Sequence, residues 1–289
     1  MKRNYFTALI ICLFILHDSQ AQKRNFNYED YFYYRNHQYL ETTSVLLNAA
    51  VLKSAIGDTV ACINLVKKAA ARDMYDTSYI SGRSGIKFIT RTKHWAAIRD
   101  TIARNRKRFS DPGNMQIITG DIDRFWQLYS QVNTPAADEI FLKKYILAGS
   151  QGLRTFFEVR MGLRASNLVT SLRTKNRYYE SIRPVSLALK NYAPQIRAAA
   201  ARLKALYSDA IFPPTTFVMA NFNAFGTADG GGGQLIGVEF LCDKATADTS
   251  QLGDWEKSNL TDTSKILGIV IHELIHIEQN TAPANTLLA

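Results

Sequence analysis

The chain has 289 residues, of which 46% are hydrophobic, and its 35 Lys and Arg against 25 Asp and Glu give a formal net charge of +10. The length allows two modest domains or one large one, and the apolar fraction predicts a packed core and excludes an intrinsically disordered chain. A basic balance favours anionic partners, but no nucleic-acid-binding motif accompanies the charge, so no nucleic acid is expected as a partner.

The N-terminus has the pattern of a cleavable secretory signal. Lys2 and Arg3 precede an apolar run over residues 7–16, and Ser19-Gln20-Ala21 forms a small-x-small cleavage site. We therefore predict a signal peptide over residues 1–21, a mature start near Gln22 and a secreted or periplasmic protein. The apolar run is short for a bilayer, so no stable membrane insertion is expected, with a retained anchor as the alternative.

Residues 22–112 are predicted to form a helical, tetratricopeptide-like region. Helices are expected over residues 43–56 and 59–74, with a turn at Gly57-Asp58, and over residues 89–108. The positions where a tetratricopeptide unit places its packing residues are occupied by Ala50, Gly57, Cys62, Val66 and Ala69. Only one copy is visible, so an ordinary helical hairpin is the alternative. Either form offers a surface for a protein partner.

Two other features of the chain have competing interpretations. The basic cluster over residues 104–108 is either an attraction site for anions or, as we favour, a solvated helix end. Cys62 and Cys242 remain after processing, and an oxidising compartment permits a disulfide between them. Nothing in the sequence brings the two together, so buried free thiols are the favoured prediction.

Residues 113–289, after the break at Asp111-Pro112-Gly113-Asn114, are predicted to form a zincin-like metalloprotease domain. Helices are expected from residue 121, over 136–147, 154–190 and 194–206, followed by a strand hairpin of residues 215–220 and 234–241 joined by a turn over 226–233. The predicted fold class is mainly α with a small β-sheet (α+β). Strand 234–241 is the predicted edge for an extended peptide, with Gly237 and Glu239 as substrate-edge candidates.

The stretch His272-Glu273-Leu274-Ile275-His276 carries the clearest chemistry. Residues four apart lie one turn apart on one helical face, so both imidazoles can bind one Zn²⁺, while Glu273 is placed as general base toward a water that the metal activates. The alternative is a core helix whose imidazoles are satisfied by hydrogen bonds. Asp262 or Thr263 is the predicted N-cap, and Glu278-Gln279 a polar exit.

Further sequence blocks resemble a family of predicted zinc-dependent proteases, secreted bacterial proteins that are classed as a domain of unknown function. The blocks are Asp121-Ile122-x-x-Phe125-Trp126, Tyr145-Ile146-x-x-Gly149-Ser150-x-Gly152-Leu153, Tyr178-Tyr179-x-x-Ile182-Arg183, Phe212-Pro213-Pro214, Gly226-Thr227, Leu235-Ile236-Gly237-Val238-Glu239 and His272-Glu273-Leu274-Ile275-His276-x-x-Gln279. The resemblance covers about residues 115 to 289, and several family members carry tetratricopeptide-like N-terminal helices.

The resemblance implies a gluzincin-like site whose third ligand is a Glu in a later helix. Thr286-Leu287-Leu288-Ala289 matches the start of the stretch that leads to it, so the third ligand is expected beyond Ala289 and the chain is expected to be truncated within its site. With two imidazoles alone, zinc affinity should be poor, and an inactive 289-residue form is one expected outcome.

The predicted function is a secreted zinc metallopeptidase that hydrolyses a peptide or protein substrate. An oxyanion donor is expected among Tyr178, Tyr179 and Arg183. The alternative from another class is a non-catalytic binding or scaffold protein with a degenerate zincin domain and a partner-binding helical region. An amidase acting on cell-wall material is a third interpretation.

Overall fold

The computed structural model describes residues 38–229 and 231–281, so the predicted signal peptide and the segment after residue 281 lie outside the described residues. The prediction of a mainly α fold with a small β-sheet is confirmed. The helices are α1 (Thr43–Ala55), α2 (Thr59–Ala70), α3 (Ser78–Ser81), α4 (Trp95–Phe109), α5 (Gly120–Leu128), α6 (Ala137–Ile140), α7 (Gln151–Val159), α8 (Ala165–Thr174), α9 (Asn176–Ala188), α10 (Ala193–Leu206), α11 (Asp254–Asn259) and α12 (Ile266–Thr281). The strands are β1 (Ile117–Ile118), β2 (Thr215–Val218), β3 (Gly226–Asp229), β4 (Gly233–Gly237), β5 (Leu241–Cys242) and β6 (Thr261–Asp262). Within the described ranges, no helix has the length and apolarity to cross a bilayer.

Helices α1 and α2 form the predicted helical hairpin. The Thr42 hydroxyl accepts from the backbone N–H of Val45 at the start of α1, and Asp58 caps α2 in the same way through Ala61. Gly57, with φ of +78°, makes the turn between them. The crossing is formed by small and β-branched side chains with no exposed surface, namely Ala50, Cys62, Val66 and Ala69. The tetratricopeptide interpretation of this hairpin stays a prediction.

Most of the hairpin belongs to a hydrophobic cluster whose buried members all lie between Leu46 and Ile102. Val45 of α1 belongs instead to a second, larger cluster that runs through the rest of the described chain. Polar contacts nevertheless join the two regions: the Gln151 Nε2 donates to the carbonyls of Arg72 and Gly231. Cys62 and Cys242 are both buried free thiols, as predicted.

The predicted helical stretch over residues 154–190 is interrupted. Gly162 and Leu163 take left-handed conformations with φ of +61° and +58°, which end the α7 segment and start α8. Lys175 separates α8 from α9. Tyr179 of α9 packs with Phe125 in the core, and Phe125 in turn contacts Phe141 and Tyr145, with the rings edge-on or tilted.

The main sheet has the strand order β1-β2-β4-β3. β2 pairs in parallel with β1 and β4, and β3 pairs antiparallel with β4. Two predictions are therefore wrong. Residues 226–229 are a strand, not part of a turn, so the hairpin is β3–β4, not β2–β4. The strand within residues 234–241 is not an edge, because β4 is hydrogen-bonded on both sides and ends at Gly237.

Helices cover both faces of this sheet. Successive side chains of a strand point to opposite faces. Gln234 of β4 accepts from Thr215 of β2 at 2.7 Å and donates to the carbonyl of Val270 in α12, so these side chains face α12. Thr216 faces the other way, against Gly152 of α7. The buried amide of Gln234 thus fixes α12 on the sheet.

Candidate functional site

Helix α12 divides into a core face and a solvent face. Ile266, Val270, Leu274 and Ile277 follow the spacing of one helical face and are buried. His272 and His276 lie on the opposite, exposed face. Asp262 caps the 3₁₀ turn of residues 263–265 that leads into the helix, by accepting from the backbone N–H of Ser264.

An open cleft of about 610 Å³ lies along this solvent face. It is lined by Arg160, Ala224, Phe225, Gly226, Lys265, Gly268, Ile269, His272 and Glu273. His276 adjoins it one turn beyond His272. The segment of residues 224–226 that enters β3 forms one wall, and the first half of α12 forms the other.

The two imidazoles point toward each other. Their Nε2 atoms are 3.1 Å apart and their rings are perpendicular. Zn–N bonds of about 2.0–2.1 Å at a tetrahedral angle place two ligand nitrogens about 3.3 Å apart. The pair therefore fits two ligand positions of one zinc ion. The same separation suits a hydrogen bond from one ring to the other, in which a proton occupies the place that a metal would take.

Gln279 orients the second imidazole. His276 Nδ1 lies 3.0 Å from the Gln279 Oε1. An amide oxygen only accepts, so Nδ1 carries the proton and the lone pair of His276 is on Nε2, facing His272. Hydrogen bonds of this type to the outer ring nitrogen hold metal-binding histidines in the required tautomer. In the sequence, Gln279 belongs to the predicted polar exit from the helix and is the last residue of the block that begins at His272.

Replacing Gln279 with Leu should weaken zinc binding about 10- to 100-fold, because the tautomer and orientation of His276 are no longer fixed. Gln279→Glu should bind zinc at least as well as the wild-type protein, because a carboxylate also accepts from Nδ1. A competition titration against a chromophoric chelator measures both affinities. Equal affinities for the Leu and Glu variants would contradict this role.

Glu273 lies at the floor of the cleft, only 9% exposed. Burial raises the pKa of its carboxyl, while His276, His272 and Arg160 oppose that rise. Its carboxylate lies against the backbone of β3 at Gly226, where an added Cβ atom would be 2.5 Å from Oε1. A glycine at this position therefore gives Glu273 its space beside the histidines.

Arg160 and Lys265 bring positive charge to the same cleft. Arg160 follows the last residue of α7, and its Nη2 donates to the Thr227 hydroxyl of β3 at 3.0 Å. No sequence pattern around Arg160 identifies it as a site residue. Its proximity to His272 depends on how α7 and α12 pack on the sheet.

The substrate-edge candidates Glu239 and Gly237 lie elsewhere. Glu239 has no exposed surface, and its Oε1 accepts from the backbone N–H groups of Ala220 at 2.5 Å and Asn221 at 2.6 Å. An added Cβ at Gly237 would be 2.2 Å from the Ala224 carbonyl oxygen. Both residues therefore hold the loop between β2 and β3, and neither lies at an open edge of the described sheet. Their contact with substrate stays a prediction.

The predicted oxyanion donors also lie outside the cleft. Tyr178 and Tyr179 are fully buried, and the Tyr178 hydroxyl donates to the Glu239 carbonyl at 2.5 Å. Arg183 stacks over the Trp126 ring at 5.1 Å. Arg160 and Lys265 are the cations that line the cleft with His272 and Glu273 instead.

Glu278 was predicted to lie in a polar exit from the helix, but the structure buries it. It is buried, and its Oε1 accepts from the backbone N–H of Ile211 at 2.7 Å. Burial raises the pKa of this carboxyl. The helix continues to Thr281. Because Glu278 binds the Ile211 N–H, it connects α12 to the segment before β2.

Residues 38–229 and 231–281 contain no cluster of three or more His, Cys, Asp or Glu side chains arranged for a metal. A third ligand beyond Ala289 stays a prediction. A scan against protein-family models, a search of curated proteins and a search of solved structures each found no match. The resemblance to the zinc-protease family likewise stays a prediction, resting on the sequence blocks quoted above.

Proposed function

We propose that this protein is a zinc-dependent peptidase. The observation that carries the proposal is the pair of imidazole Nε2 atoms 3.1 Å apart at an open cleft, with the Glu273 carboxylate beside them. Two core imidazoles turned away from each other would have spoken against it. The donor set, two neutral imidazoles with a nearby carboxylate, suits zinc.

Each residue of the site has a separate role in the proposed hydrolysis. His272 and His276 would hold the metal, which when bound supplies Lewis acidity toward water and a substrate carbonyl. Glu273 would accept a proton from the attacking water at its carboxylate and pass it to the leaving amine. Gln279 keeps the His276 lone pair available.

A peptide suits this cleft because β3 borders it. Among the described residues, β3 pairs with β4 alone, so its outer edge offers backbone N–H and C=O groups. An extended peptide can add to such an edge as a further strand. This would place a scissile bond along the wall formed by residues 224–226, opposite His272.

A zinc titration tests the proposal. We expect the wild-type chain to bind about one Zn²⁺ with low affinity, as expected for two described ligands. His272→Ala and His276→Ala should each lose most of that binding, because each removes one of the two. His94→Ala is the matched control, since His94 lies outside the cleft. Atomic absorption after equilibrium dialysis, together with chelator competition, gives stoichiometry and affinity.

The outcomes separate the two predicted functions. Zinc binding that depends on both cleft histidines, with hydrolysis of unstructured polypeptide, supports the peptidase. Zinc binding that is equally strong in all three variants would place the metal elsewhere and overturn the proposal. A chain that binds a protein partner through its N-terminal helices, but neither zinc nor peptide, would favour the non-catalytic scaffold.

A further inference from the structure

Two cations, Arg160 and Lys265, line the cleft, and neither forms a salt bridge with a carboxylate of the described residues. Every carboxylate in the described ranges lies more than 4.0 Å from the guanidinium of Arg160 and from the ammonium of Lys265. Arg and Lys side chains elsewhere in the chain do form such pairs, for example Arg108 with Asp73. Other cations of the described chain form no salt bridge either, so what distinguishes Arg160 and Lys265 is that both line the same cleft.

Arg160 is held in place without being neutralised. One of its nitrogens donates to the Thr227 hydroxyl at 3.0 Å, a neutral partner on β3. A guanidinium has five N–H donors in a fixed plane, so the remaining donors stay available for an oxygen ligand. Thr227 thereby positions the group at the strand beside which an extended peptide would lie.

Glu273 lies beyond salt-bridge distance of Arg160, although the two charges still interact. Its carboxylate is turned into the space above Gly226, and it is the only acidic residue lining the cleft, against two cations. Apart from His272 and two glycines, the rest of the lining is apolar, formed by Ala224, Phe225 and Ile269. A surface with excess positive charge favours partners that carry negative charge.

We propose that Arg160, supported by Lys265, binds a carboxylate of the substrate peptide, so that the cleft selects peptides with an acidic group beside an apolar side chain. This inference rests on the proposed function in that it uses the same cleft. The carboxylate can come from an Asp or Glu side chain or from the free C-terminus of a peptide, and Arg160 offers the same charge-assisted hydrogen bonds to either.

Fluorescence anisotropy with labelled peptides tests the proposal independently of hydrolysis. One peptide carries an internal Glu and an amidated C-terminus, a second replaces that Glu with Gln, and a third keeps the Gln and has a free C-terminus. The Glu273→Gln protein, with zinc present, is used so that no peptide is consumed. We expect the peptide with the preferred carboxylate to bind about tenfold or more tightly than the amidated Gln peptide, since hydrogen bonds between charged groups exceed neutral ones.

Variants then assign the preference to Arg160. Arg160→Met should abolish the tenfold difference, and Arg160→Lys should retain part of it, because the charge remains while the planar fork is lost. Arg164→Met is the matched control: Arg164 is exposed, close in sequence and outside the cleft lining, so its loss should change nothing. The preference should also shrink as salt is added.

Each result decides one of the two proposals. Equal binding of all three peptides by the Glu273→Gln protein, or an equal loss in the Arg160→Met and Arg164→Met variants, overturns the carboxylate site. A carboxylate preference that depends on Arg160, in a chain whose wild type hydrolyses none of these peptides with zinc, supports the site and speaks against the peptidase. Hydrolysis of these peptides without any carboxylate preference supports the peptidase and speaks against the carboxylate site.

Discussion

Hydrolysis by the Glu273→Gln variant is expected to fall about 10²- to 10⁴-fold relative to the wild-type protein, while zinc affinity stays the same. The amide keeps the size of the carboxylate but cannot take a proton from water. The histidines that would hold the metal are unaltered, and the cleft keeps its shape. The measurement is kcat on a fluorogenic peptide at saturating zinc, with zinc affinity determined on the same preparations.

The same helix supplies the control. Glu278→Gln alters a buried acidic residue five positions further along α12, outside the cleft lining, and the amide oxygen can still accept from the Ile211 N–H. Its hydrolysis should match that of the wild-type protein once folding is verified by circular dichroism. Equal losses in the two variants would mean that activity follows the integrity of the helix, not the Glu273 carboxylate.

A pair of glycines tests the position of that carboxylate. Gly226→Ala should also abolish most hydrolysis, because the added Cβ lies 2.5 Å from Oε1 and 2.7 Å from the Cγ of Glu273, so the whole side chain must move. Gly268 lines the same cleft, but the Cβ added in Gly268→Ala would meet nothing within 4 Å. It should keep full activity and, as a helix position, gain stability of about 1 kcal/mol.

The second large effect concerns Glu239 and is a change in how stability depends on pH. Burial raises the pKa of this carboxyl to about 7, against the opposing effect of the backbone N–H groups that it binds. In the unfolded chain a glutamate titrates near its ordinary value of about 4.3. Between these two values the folded protein keeps a proton that the unfolded chain releases, so the free energy of unfolding falls as pH rises.

Glu239→Gln should therefore be more stable than the wild-type protein at pH 8, by about 3 kcal/mol, and within about 1 kcal/mol of it at pH 5. The amide stays neutral at both pH values, and its oxygen can still accept from Ala220 and Asn221. Urea unfolding at the two pH values measures the difference. The exposed Glu180→Gln variant should keep the wild-type pH profile. A Glu239→Gln protein that is less stable at pH 8 would mean that the two N–H donors outweigh burial.

Glu239 also illustrates what the sequence could not predict. Alternation along a strand places residues on one of two faces, but the 3₁₀ turn at Val238–Phe240 ends that alternation immediately before Glu239. Its carboxylate instead binds a loop in which Asn221 and Phe222 take φ of +56° and +55°, a backbone form that a bound carboxylate can stabilise. A contact of this kind depends on tertiary packing and leaves no local pattern.

Helices whose signals are local were predicted well. Thr42, Asp58 and Ser150 each cap the helix that follows them, and hydrophobic spacing located α1, α2 and α10 to within a few residues. β3 was missed because Gly-Thr-Ala-Asp has no alternating apolar pattern and becomes a strand only through pairing with β4. Within the site, the motif identified His272, Glu273 and His276, while Arg160 and Gly226 join them only when the sheet is assembled.

Gln151 joins the N-terminal helix pair to the border of the cleft. One amide nitrogen at the start of α7 donates to both the carbonyl of Arg72, after α2, and that of Gly231, between β3 and β4. A shift of the helix pair would therefore remove a support of the β3–β4 hairpin as well. Residues around Arg72, far along the chain from His272 and Glu273, are in this way connected through one side chain to the strand that borders them.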